Sequence, residues 1–159
     1  MRDALILNAV LFLPVLGMAL IARVPNGREG WIRGISFWVM AAQFALAAWL
    51  YAQFDPANPG LQFETRLPWI PDWGVYYQVG LDGYNVLLVL LTAFLGPLVV
   101  ASAFTAITRS VKLFYAMVLA IQFTMVGTFL AQDLFLFYLF WEAMLIPMFL
   151  GISIASQKR

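Results

Sequence analysis

The chain of 159 residues has no cysteine and no histidine. Their absence removes the usual ligands for zinc, haem and iron–sulfur clusters, and with them any disulfide or Cys/His catalytic pair. Redox chemistry, if this chain serves any, takes place in a partner. Charge is scarce too: 11% of residues are charged, against roughly 25% in an average soluble domain. The net charge of +1 leaves no electrostatic basis for a nucleic-acid partner. Glycine-rich phosphate loops and nucleophile motifs are also missing, so no nucleotide site is expected within the chain.

What is present is apolar: 64% of the residues are hydrophobic. Crossing a hydrocarbon core takes ~20 apolar residues. Five stretches qualify, over about 4–22, 32–54, 84–107, 111–130 and 134–154. The expected fold is therefore an all-α membrane protein of about five transmembrane helices, forming a single transmembrane domain over 1–159. The first span could mimic a secretory signal, but Leu20 occupies the small-residue position that cleavage after Ala22 would require, so the span is read as retained.

Positive charges sit in alternate connections. Arg23, Arg28 and Arg33 follow the first span, Arg109 and Lys112 the third, and Lys158 and Arg159 the fifth; Arg2 and Arg66 lie on the other side among six acids. The bias places the N-terminus outside and the C-terminus in the cytoplasm. The long connection from Asp55 to Gly83 carries Pro56, Pro59, Pro68 and Pro71 and partly alternating residues, which predicts a short external hairpin between helices 2 and 3. Its Trp69, Trp73, Tyr76 and Tyr77 suit an aromatic belt at the membrane boundary.

One residue stands out for chemistry. Glu142 falls within two residues of the middle of the fifth stretch. Placing a charged group at that depth costs ~2.5 kcal/mol or more, so such carboxylates face a bundle interior or a water cavity and are functional by default. Burial favours a protonated carboxyl and a nearby cation an ionised one, so a movable cation would make the site a proton relay. The bland alternative is a protonated acid in a static interhelical hydrogen bond. Pro147 leaves the carbonyl of Ala143 without its helical donor, which predicts a bend and a polar partner beside the acid. Tyr138, one turn before Glu142, is a candidate donor, though an ordinary packed tyrosine accounts for it as well. Asp133 is expected to cap the fifth helix. Gln43, Gln122, Thr124 and Thr128 could hold waters leading to Glu142, or could bond helix to helix. Asn85, Thr92 and Gly96-Pro97 in the third span are given no chemical role.

The run Leu136-Phe-Tyr-Leu-Phe-Trp-Glu142-Ala-Met-Leu-Ile-Pro147-Met closely resembles the fifth-helix signature of subunit M of bacterial NADH:quinone oxidoreductase, respiratory complex I. Leu67-Pro-Trp-Ile-Pro and Val79-Gly80-Leu81-Asp82-Gly83 resemble the same family's hairpin and the lead into its third helix. The resemblance implies an antiporter-like, proton-translocating membrane-arm subunit of the bacterial inner membrane, with Glu142 at the family's key glutamate; Pro147, Tyr138 and Gln122 are its supporting residues on the reading of the spans above. It implies no cofactor in this chain, since NADH, flavin, iron–sulfur clusters and quinone belong to partner subunits. The implied partners are the other membrane and peripheral subunits, the lipid bilayer, and the remaining C-terminal helices of the same subunit. In family members those helices include a lysine that pairs with the helix-5 glutamate, and no Lys or Arg of these five spans stands in for it. A multisubunit cation/proton antiporter, a proton-pumping hydrogenase and a truncated element that supports assembly without pumping are the rival readings.

Overall fold

The computed structural model describes residues 1–156; Lys158 and Arg159, which contribute to the charge bias, lie outside the described residues. Its elements run α1 (Arg2–Arg23), α2 (Glu29–Gln53), β1 (Gln62–Ile70), β2 (Val75–Leu81), α3 (Asn85–Ala106), α4 (Val111–Leu130) and α5 (Leu134–Ser156). All five helices are long and apolar enough to cross a membrane. The second begins at Glu29 rather than Ile32, so Arg33 sits in the second turn of α2. Its charge reaches the bundle end instead of its middle.

The helices form a bundle in which α4 is the hub. It packs against α1, α3 and α5, while α2 packs against α1 and α3. Two apolar clusters fill the interior. One, near the hairpin, includes Leu7, Leu11, Leu50, Val89, Val126 and Phe140; the other, toward the opposite end, includes Ile21, Met40, Val100, Tyr115 and Leu119.

Between these clusters lies a polar node built around a proline. Pro14 sits inside α1 and offers no amide hydrogen to the carbonyl of Val10, four residues back. An open carbonyl in an apolar bundle needs a donor from a neighbouring helix. Gln43 of α2, fully buried, supplies it: Nε2 donates to the Val10 oxygen at 2.7 Å. The Gln43 Oε1 then accepts from Gln122 Nε2 of α4 at 2.8 Å, and the same nitrogen donates to the Thr92 carbonyl of α3 at 3.0 Å. Four helices are thus joined through two side chains. Gly96 of α3 makes the room, because a Cβ there would stand 2.9 Å from Met40 Sδ and 3.1 Å from Gln122 Nε2. Thr124 and Thr128 bond to carbonyls of their own helix, so they stabilise α4 locally.

The connection after α2 folds as the expected hairpin. β1 and β2 pair antiparallel, with Thr65 opposite Val79 and Leu67 opposite Tyr77. Gly74 turns the chain in the left-handed region at φ 66°. Phe63, at φ 58°, marks the irregularity between Gln62 and Thr65, where an extra residue bends the strand.

The hairpin is fastened to the helix ends by side-chain amides. Asn8 of α1 donates to Thr65 Oγ1 at 2.8 Å and accepts from the Tyr77 hydroxyl at 2.6 Å. Asn85, at the start of α3, donates to the carbonyls of Gly80 and Phe129. Gln132, just after α4, donates its backbone N–H to the Gln78 carbonyl at 2.8 Å and its side-chain amide to the Gly80 carbonyl at 3.3 Å. Tyr77 therefore departs from the belt expectation. It turns inward, and burial pushes its phenol up to about 12. Trp73 and Trp69 do face outward, at 76% and 49% exposure, while Tyr76 lies under the Arg66 guanidinium, 4.2 Å from the ring centroid.

Candidate functional site

The start of α5 is fixed by Asp133, whose Oδ1 accepts from the amides of Phe135 and Leu136 at 3.0 and 3.2 Å. This is the expected cap, satisfying two amides that the first helical turn leaves open. The second oxygen, Oδ2, takes the Tyr76 amide at 3.3 Å, which ties the origin of α5 to the hairpin as well.

Beyond the cap, α5 touches its neighbours along one narrow stripe. Its buried residues are Leu136, Phe140 and Pro147, and the stripe leans on α4. Phe140 stacks edge-on against Phe123 at 5.4 Å and fills the space over Gly127, where any Cβ would overlap its ring. Only 11% of the most apolar window of α5 is buried within the chain, against 44% for α4.

That stripe decides where Glu142 points. Each residue turns a helix by ~100°, so a side chain two positions after Phe140 lies ~200° around, on the opposite face. Glu142 is exposed there, in a shallow groove shared with Leu139, Ala143, Ile146 and Phe149. The Tyr138 phenol is 52% exposed and faces the carboxylate. These two, expected as neighbours from their spacing, are brought together.

Pro147 lies elsewhere. It is buried on the α4 side, and α5 continues through it as one helix. It lines an apolar groove of about 400 Å³ between α4 and α5 with Met117, Ile121 and Gly151. Gln122 is elsewhere too, engaged with Gln43 and Thr92 in the core. Of the four residues singled out by sequence, Glu142 and Tyr138 form one outward-facing pair, and the other two serve the packing of α4.

No group of three or more Asp or Glu among the described residues is placed to hold a metal ion. What the outward pair offers is an acid that can take or give a proton and a phenol that can donate to it. Sequence reasoning assigned no role to Asn8, and it left Pro14 unmentioned. A proline inside the first span was the available signal, since it demands a donor from outside α1.

No protein-family model matches the chain. Curated relatives do. Over 157 residues it is 43% identical to NADH-quinone oxidoreductase subunit M of Rhodobacter capsulatus, covering 96% of this chain and 30% of the relative. Chain 4 of the NADH-ubiquinone oxidoreductase of Marchantia polymorpha is 30% identical over 153 residues, covering 96% of this chain and 31% of the relative. Among solved structures, respiratory complex I from Thermus thermophilus with bound NADH contains a chain that superposes with a TM-score of 0.67 at 32% identity, over 89% of this chain and 27% of its own. The chain matches the N-terminal part of complex I subunit M. It spans less than a third of the length of these relatives.

Proposed function

We propose that this segment belongs to a proton-translocating membrane subunit of an NADH:quinone oxidoreductase, and that Glu142, with Tyr138 beside it, handles the transported proton. The observation that carries the reading is a mid-span carboxylate on the face of α5 that turns away from the other four helices. A carboxylate at that depth is costly against hydrocarbon. The reading places further helices of the same subunit over this face, bringing the cation that lets the acid alternate between charged and neutral. NADH, flavin, iron–sulfur and quinone chemistry are assigned to partner subunits, in keeping with a sequence that holds neither Cys nor His.

In inverted membrane vesicles, deleting the gene for this chain should abolish NADH-driven acidification of the lumen, and restoring it should recover the signal. Loss of sodium-driven acidification in the absence of NADH, with the NADH-driven signal intact, would instead assign the chain to a cation/proton antiporter.

The proposed orientation puts the hairpin outside and the Arg23–Arg33 loop in the cytoplasm. A cysteine replacing Asn58, in the exposed turn before β1, should react with an impermeant maleimide added to intact spheroplasts. Reaction only in inverted vesicles would reverse the orientation and the direction of the proton path.

A further inference from the structure

The end of the bundle opposite the hairpin is basic and hollow. There the loops joining α1 to α2 and α3 to α4 border an open cavity of about 540 Å³. Its walls are apolar, formed by Met18 and Ile21 of α1, Ile32 of α2, and Leu113 and Ala116 of α4. Its rim is polar, with Asn26, Glu29, Ser110 and Lys112. Lys112 Nζ donates to the carbonyls of Val24 and Ala22 at 2.6 and 3.3 Å. These two bonds hold the ammonium at the rim and leave one of its three hydrogens without a partner among the described residues.

Charge at this end is one-sided. Arg23, Arg28, Arg33, Arg109 and Lys112 stand against Glu29 alone in residues 23–33 and 107–112. Arg33 lies 3.6 Å from Glu29 and matches its charge, which leaves four cations uncompensated. Both α2 and α4 also start at the cavity, and neither start has a side-chain cap, so first-turn amides add positive potential there. An apolar slot with Lys112 at its rim, on a bundle end where cations outnumber the one acid and Arg33 pairs with that acid, suits a molecule with a hydrocarbon tail and a negative head. Basic pockets between transmembrane helices hold anionic lipid head groups for the same reason.

We propose that this cavity binds an anionic phospholipid of the surrounding leaflet. Its phosphate rests on Lys112 and the first turn of α4, and one acyl chain lies between α1 and α4 along Met18 and Leu113. The site is separate from Glu142, which is on another helix and another face.

Electron spin resonance of the full chain in phosphatidylcholine vesicles tests this with spin-labelled phosphatidylglycerol or phosphatidylcholine as probe. The immobilised fraction should favour phosphatidylglycerol by about fivefold for each cation that engages it. Lys112→Gln should lower that preference about fivefold. Ala116→Trp, which fills the slot without changing charge, should remove the immobilised phosphatidylglycerol. Equal retention of the two lipids by the unmodified chain, which requires no variant to fold, would overturn the proposal. So would a preference that survives Ala116→Trp, since that marks diffuse surface attraction and no bound lipid.

Discussion

In the assembled complex, Glu142→Gln should cut proton pumping by at least about tenfold while leaving assembly intact. A positioned proton-transfer group contributes roughly 10²–10⁴-fold, and the amide keeps the size and hydrogen-bonding capacity of the acid while losing its ability to ionise. Two features make the test clean. Glu142 lies on the exposed face of α5, and the packing of that helix on α4 runs through Leu136, Phe140 and Pro147, so the substitution leaves the bundle undisturbed. A tyrosine hydroxyl can donate to an amide oxygen as well as to a carboxylate. Glu142→Asp should retain a substantial part of the activity, since the ionisable group remains but is drawn back by one methylene. A glutamate with only a structural role gives a different pattern, in which Gln pumps normally at matched assembly levels. That result would sink the relay.

A second large effect is expected at Gly127→Ala. The added methyl would overlap the Phe140 ring, and that ring is already held by Phe123. Forcing extra volume into a packed contact costs about 1–3 kcal/mol. Here the contact lies in the interface that joins α5 to the bundle, since α5 packs on α4 and β2 and makes no comparable contact with α1, α2 or α3 among the described residues. Titration of the folded chain with a denaturing detergent should show the loss, and Phe140→Leu in the same chain should recover most of it by freeing the overlapped space. Pumping should fall along with stability, because Glu142 follows Phe140 by two residues and moves with it. If Gly127→Ala unfolds at the same detergent fraction as the unmodified chain, the close approach of α4 and α5 is not what fixes the site.

The number of helices could be read from the sequence because each apolar run is about one bilayer long and is bounded by charge, proline or glycine. The hairpin was legible for a related reason: alternation over residues 61–64 and 75–79 fits a strand and not a helix. The depth of Glu142 was also readable, being a matter of counting. Its facing was not. α5 is apolar all the way round, with Leu, Phe, Trp and Ile on every side, and periodicity cannot tell a lipid face from a packing face when both are apolar. Phe140 and Pro147 mark the packing face only once Gly127 is seen opposite. Gln43 and Gln122 could be placed at mid-span, but their partners lie on other helices, at separations of 33 and 79 residues. Tyr77 shows the converse error. Trp69 and Trp73 before it are aromatic and exposed, and the inward turn of Tyr77 goes with its bond to the side-chain oxygen of Asn8.

The pairing of Pro14 with Gln43 bears on how the chain enters the membrane. A first helix that crossed alone would carry the Val10 carbonyl into hydrocarbon with no donor, and leaving a backbone group open there costs several kcal/mol. The donor arrives only with α2, 33 residues later in the chain. The pair α1–α2 closes that carbonyl within itself, and its connection at 24–28 is short enough to let the two helices meet at once. Gln122 joins afterwards, docking on an oxygen of Gln43 that is already oriented by its bond to α1. On this account biogenesis proceeds in two steps: a helical pair that closes its own proline defect, and a later arrival of α4 that finds the amide waiting.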